Sequence, residues 1–96
     1  RVPLLDNVIA MAGGGLVTGA SGRNWAGYGA DVQLHEGLPA TDQALMTDPQ
    51  TSGAVLVSCP PEAVEAVLEI FRNEGFGQAA VIGRVEAGAP GLVVLP

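Results

Sequence analysis

Residues 48–53, which read DPQTSG, combine groups that shape the backbone with groups that form hydrogen bonds. The proline fixes its own φ and disfavours helical geometry at the residue before it, while the glycine accepts backbone geometries that other residues resist. The uncharged polar side chains between them offer more hydrogen bonds than a turn needs. We interpret the segment as a loop that meets a ligand or another surface, through Asp48, Gln50, Thr51, Ser52 and Gly53. The alternative is a plain helix-to-strand connector, in which Thr51 and Ser52 cap backbone groups.

Residues 19–24, which read GASGRN, form a second candidate segment that we predict to be a loop. Glycines let backbone N–H groups approach an anion closely, and a guanidinium adds charge and two parallel donors. The pattern is neither a P-loop nor a dinucleotide fingerprint. It predicts a phosphate-binding or substrate-binding site built from Gly19, Ser21, Gly22, Arg23 and Asn24. The alternatives are that Arg23 is an ordinary surface charge and that Asn24 bonds its own turn.

The charge pattern excludes several functions for the chain by itself. It has 96 residues, four scattered arginines, no lysine and a net charge of −6, so we do not expect nucleic-acid binding. Without lysine there is no Schiff-base nucleophile, and phosphoryl transfer would need cations from elsewhere. We assign no catalytic residue and no metal site, since His35 lies in a polar loop and Cys59 is expected to pack as a small hydrophobe.

Composition also bounds the class of protein. One cysteine rules out an internal disulfide, and no apolar run reaches the 18 residues of a membrane span. We therefore expect an intracellular protein with no membrane partner. The length fits one domain or less.

Periodicity predicts a mixed α+β fold. We expect helices over residues 4–12, over residues 40–46 with Thr41 as a possible cap, and after Pro60 and Pro61, the last ended by Gly75. The last helix should bury a stripe of Val64, Val67, Leu68 and Phe71. Strands are predicted over residues 16–18, 31–34, 53–58, 79–85 and 92–95, with the final two forming a hairpin. This order predicts a mixed or antiparallel sheet with helices packed on one face.

Together the two polar segments resemble a known family. With Val2 and Pro3 upstream and residues 80–85, AVIGRV, downstream, the order of motifs is similar to the C-terminal part of selenophosphate synthetases, also called selenide, water dikinases. That family reads Gly-Gly-Thr and then Arg-Asn at the first segment, and Asp-Pro-Gln-Thr-Ser-Gly-Gly at the second. Here Ala20 and Ser21 replace the Gly-Thr pair, and Ala54 replaces the last glycine. The resemblance covers essentially the whole chain.

The resemblance implies a role within a longer, two-domain enzyme. Residues 1–96 would be a single, incomplete C-terminal domain of the type found in aminoimidazole ribonucleotide synthetase. The whole enzyme makes selenophosphate, AMP and phosphate from selenide, ATP and water, uses Mg²⁺, and is a cytoplasmic homodimer. Its reactive cysteine or selenocysteine and its magnesium-binding aspartates lie in the N-terminal, ATP-binding domain. The chain alone would bind no cofactor and be inactive. It would close the active site from one side, with residues 19–24 and 48–53 facing that domain.

Two other interpretations stay open at this point. Another member of the same superfamily would use this type of domain to bind a phosphorylated substrate. A small acidic interaction domain would bind no ligand at all.

Overall fold

A computed structural model describes residues 2–50 and 52–96 of the chain. It divides into two compact units. The larger unit joins Leu5–Gly53 to Gly88–Pro96, and the smaller unit joins residues 2–4 to Ala54–Ala87. Both candidate segments belong to the larger unit.

Three short helices form most of the larger unit. They are α1 (Val8–Gly13), α2 (Gly19–Tyr28) and α3 (Ala40–Met46), and both α1 and α2 pack against α3. Helix α3 has the bounds that the sequence predicts. Its N-cap is Pro39 and no side chain caps it, so the prediction of Thr41 as the cap is wrong. Helix α1 is shorter than predicted, beginning at Val8 after Asn7 in a left-handed conformation, and residues 16–18 form no strand.

Two short strands complete the larger unit. Strand β1 (Val32–Leu34) follows a turn of 3-10 helix (Gly29–Asp31), and strand β2 (Leu92–Val94) lies near the C-terminus. They pair in parallel, with Val32 opposite Leu92, and the His35 N–H extends the ladder by donating to the Val94 carbonyl at 3.0 Å. Parallel neighbours cannot be joined by a tight turn. Strand β2 pairs with β1 instead, and residues 79–85 form no strand, so the prediction that residues 92–95 form an antiparallel hairpin with residues 79–85 is wrong. The described residues form a mixed α/β fold with four helices and a two-stranded parallel sheet.

The smaller unit is organised by helix α4 (Val64–Asn73), which a 3-10 turn at Pro61–Ala63 leads into. The predicted stripe is confirmed, because Val64, Val67, Leu68 and Phe71 are half-buried while most of the remaining helix residues are exposed. The glycine predicted to end the helix does so. Gly75 has a φ of 91°, which lets its own N–H and that of Phe76 reach carbonyls of the last turn. The Phe71 and Phe76 rings then meet edge to face, with centroids 6.3 Å apart.

Two further predicted strands are not formed. Residues 53–60 and 79–86 are neither helix nor strand, and their apolar side chains are largely exposed, with Leu56 80% and Val85 87% accessible. Their β-branched composition suits a strand, but a strand exists only when another backbone pairs with it. No described residue pairs with either segment. The prediction of a strand over 53–58 buried on both faces is thus wrong for the described structure.

The helix end at Gly75 yields a stability prediction. Gly75→Ala should lower the free energy of unfolding by about 1 kcal/mol, since an L side chain is strained at positive φ. Gly77→Ala is the matched control, because Gly77 also has open space around it but no left-handed backbone. Urea unfolding followed by helical circular dichroism measures both. Equal stability of the two variants would contradict the assigned role.

Candidate functional site

The first candidate segment is helical, so the prediction of a loop over residues 19–24 is wrong. Gly19 opens α2, and the extended Thr18 before it is the N-cap. Helix α2 lies against α3, and its buried residue, Ser21, has a small side chain that lets the two helices approach closely. The first turn of a helix still has unpaired backbone N–H groups and a positive potential, which are the features that the predicted phosphate site needs.

Ser21 and Asn24 hold α2 against the end of α3. Ser21 is buried, with only 3% of its surface exposed. Its Oγ lies 3.1 Å from Thr18 Oγ1 and 3.4 Å from the Ala44 carbonyl oxygen. Asn24 Nδ2 donates to the Thr47 carbonyl at 2.8 Å. Both candidate side chains therefore form hydrogen bonds within the chain, and these bonds position α2 against α3.

Gly19, Gly22 and Arg23 occupy the open side of the same helix start. All three residues are exposed. Arg23 folds back along the first turn, with Nη1 3.8 Å from the point that a Cβ on residue 19 would occupy. No carboxylate within residues 2–50 and 52–96 forms an ion pair with it. The guanidinium is thus available at the positive end of α2.

The second candidate segment is a loop, as predicted, and it begins where α3 ends. Thr47, only 4% exposed, donates from Oγ1 to the Gln43 carbonyl at 2.8 Å and closes the helix. Asp48 is half-buried and its two carboxylate oxygens accept hydrogen bonds from different sides. Thr18 Oγ1 donates to Oδ1 at 2.9 Å, and Gln50 Nε2 donates to Oδ2 at 3.0 Å. The two candidate segments are therefore neighbours.

The rest of the loop is open to its surroundings. Pro49, Gln50, Ser52 and Gly53 are exposed, and Thr51 lies outside the described residues. A Cβ on residue 53 would collide with the Cβ of Gln50, so glycine is needed there for close approach. The polar side chains predicted to meet a surface are thus accessible at Gln50 and Ser52.

Sequence reasoning missed Thr18 and Thr47. Both threonines flank helices, Thr18 at the N-cap of α2 and Thr47 just after α3. Threonine before a helical start is a known signal, but interpreting residues 19–24 as a loop hid it. Within the described ranges every buried side-chain nitrogen and oxygen has a partner, so these contacts form a satisfied network.

Other candidate chemistry is sparse in the described part of the chain. No group of three or more metal-ligating side chains comes together there. His35 is exposed and accepts a hydrogen bond at Nδ1 from the Gly37 N–H, which stabilises its turn. None of the described helices has both the length and the apolar character to cross a bilayer.

Comparison with known proteins defines the class. The family model described as "AIR synthase related protein, C-terminal domain" matches residues 7–95, and the chain belongs to this family. Its curated relatives include proteins named selenide, water dikinase. That of Burkholderia pseudomallei (strain K96243) is 59% identical over 92% of this chain and 25% of its own length. That of Pseudomonas straminea is 54% identical over 98% and 26%, and that of Rhizobium meliloti (strain 1021) 46% over 98% and 27%.

The chain is thus homologous to selenide, water dikinases and spans about a quarter of the length of the curated relatives it matches. The predicted resemblance is confirmed. No solved structure matches the chain.

The contact between Asn24 and Thr47 predicts a stability effect. Asn24→Ala should lower the free energy of unfolding by about 1–3 kcal/mol, because it leaves a partly buried carbonyl without its donor. Asn73→Ala is the control, since Asn73 is an exposed helical asparagine in α4. Chemical denaturation compares the two. If both variants unfold at the same denaturant concentration, Asn24 does not hold α2 on α3.

Proposed function

We propose that this chain works as the C-terminal quarter of a selenide, water dikinase, which makes selenophosphate, AMP and phosphate from selenide, ATP and water. The observation that carries the proposal is the 59% and 54% identity to dikinases over more than nine-tenths of the chain. In the full-length dikinase, by which we mean the polypeptide in which this chain follows an N-terminal ATP-binding domain, residues 1–96 belong to one C-terminal domain.

The open side of the α2 start is the proposed phosphate contact. Arg23 offers a planar fork of donors that suits phosphate oxygens, and Gly19 and Gly22 leave room for close approach. Ser21 and Asn24 support the contact by holding the helix in place. ATP supplies the phosphoryl group, and the guanidinium stabilises negative charge on it.

Magnesium does not fit the described residues, which bring together no cluster of ligands. Mg²⁺ is therefore proposed to bind the N-terminal domain. Residues 48–53 are proposed to face that domain, with Gln50, Thr51 and Ser52 supplying polar contacts.

The exposed apolar segments support the proposed larger context. At least 42% of the surface of each of four apolar residues is accessible to water, namely Val55, Leu56, Val81 and Ile82. Exposure of this much apolar surface to water is energetically unfavourable. We propose that residues 53–58 and 79–85 become strands of a mixed sheet in the full-length, homodimeric, cytoplasmic enzyme, with helices covering one face.

Activity separates this proposal from its alternative. The family as a whole is broader than the dikinases, so a domain that binds another phosphorylated substrate is the second candidate. Full-length protein should turn over ATP only when selenide is added. An ATP turnover rate that is the same with and without selenide would favour the second candidate.

The isolated chain should be inactive. Its only strong cations are arginines, and the described residues lack a metal cluster. Purified 96-residue chain should show no magnesium-dependent ATP turnover above a protein-free blank. Turnover at the rate of the full-length dikinase would show that the catalytic groups lie in this chain.

Arg23 should matter for rate in the full-length dikinase. A charge-assisted contact is worth about 1.5–3 kcal/mol, so Arg23→Ala should lower kcat/KM by about 10- to 100-fold. Arg23→Lys should restore part of it, because lysine keeps the charge and loses the fork. Arg84→Ala is the control, since the Arg84 side chain is 85% exposed and paired with Glu86. Wild-type kinetics for Arg23→Ala would make Arg23 a surface charge.

A further inference from the structure

Thr18 precedes the first candidate segment, Asp48 begins the second, and the two residues, 30 apart in sequence, are joined by a hydrogen bond to one carboxylate. Thr18 and Gln50 do not bond each other, yet both donate to Asp48, one to each oxygen. We infer that Thr18 and Asp48 are positioning residues, which fix the start of α2 and the loop of residues 48–53 as one surface. This inference rests on the proposed function.

Each hydroxyl has one proton to donate, and this fixes the direction of the hydrogen bonds in the network. The Thr18 hydroxyl has a single proton and donates it to Asp48, which as a carboxylate only accepts. In the contact between Thr18 and Ser21, the donor must then be Ser21. The longer Ser21 contact, 3.4 Å to the Ala44 carbonyl, is the weaker branch of the same donor. The chain of donors runs from Ser21 to Thr18 to Asp48, and Gln50 completes it from the loop.

The charge at the end of this chain strengthens each link. A hydroxyl that donates to a carboxylate becomes a better acceptor for the next hydroxyl. The Asp48 carboxylate also sits beside the N-cap of α2, where the helix dipole favours negative charge. Loss of the Thr18 hydroxyl therefore removes the central link, which affects both the helix start that carries Arg23 and the loop that carries Gln50.

The Gln50 side chain provides a readout that does not depend on activity. In full-length protein with isotope-labelled glutamine, its side-chain amide resonance can be assigned by its absence in Gln50→Ala. Thr18→Val should shift that resonance, although Thr18 does not bond Gln50. Thr18→Ser, which keeps the hydroxyl, should restore the wild-type position. An unmoved resonance in Thr18→Val would overturn the inference.

Kinetics of the full-length dikinase test whether the positioning matters. Thr18→Val should lower kcat/KM about 10-fold, and Thr18→Ser should stay within about twofold of wild type. Thr41→Val is the matched control, because Thr41 is half-buried in the same unit and its hydroxyl forms no hydrogen bond with the described residues. Thr18→Val and Gln50→Ala should be non-additive, since both act through Asp48.

The outcomes separate this inference from the proposed function. A lowered melting temperature with unchanged kcat/KM in Thr18→Val would show a purely structural threonine and overturn the inference. If the Gln50 resonance shifts but wild-type protein shows no selenide-dependent turnover, the dikinase proposal fails while the physical link stands. A shift together with the expected kinetic loss supports both.

Discussion

The hydrogen-bonded contact between α2 and the end of α3 is the constraint on which the larger unit depends. Its only buried apolar residue among those described is Ala12, and its other buried residues, Ser21 and Thr47, are polar. With so little apolar surface removed from water, the specific pairing of hydroxyls, amide and carbonyls has to decide how these helices sit. Because the same contact ends at Asp48, the helix packing also determines where the candidate loop begins.

Features that depend on neighbouring residues were predictable. The bounds of α3, the stripe on α4 and the helix end at Gly75 all follow from periodicity or from one residue's backbone preference. The strand predicted over residues 31–34 also forms, one residue shorter, at Val32–Leu34. The character of residues 48–53 as a loop was likewise readable from Pro49 and Gly53. These preferences act within one or two turns of the chain, so a single sequence displays them.

Features that depend on distant partners were not predictable. Residues 53–58 have the composition of a strand but find no partner among the described residues, whereas Leu92–Val94 finds β1 from far along the chain. Residues 19–24 have the glycines of a loop, but packing on α3 makes them helical, which is tertiary context overriding propensity. Residue types and the family resemblance indicated the candidate residues, and only the structure shows that Ser21 and Asn24 bond to the end of α3 while Arg23 remains exposed.

The parallel pairing of β1 with β2 has a consequence for the order in which the molecule can be assembled. Strand β1 (Val32–Leu34) and its partner β2 (Leu92–Val94) are separated in sequence by residues 35–91. Closing that long loop has an entropic cost before any contact offsets it. One edge of β1 therefore stays unpaired until residues 92–94 have been synthesised and have folded back, so the loop of residues 48–53, which lies between the two strands in sequence, forms before the sheet that closes around it.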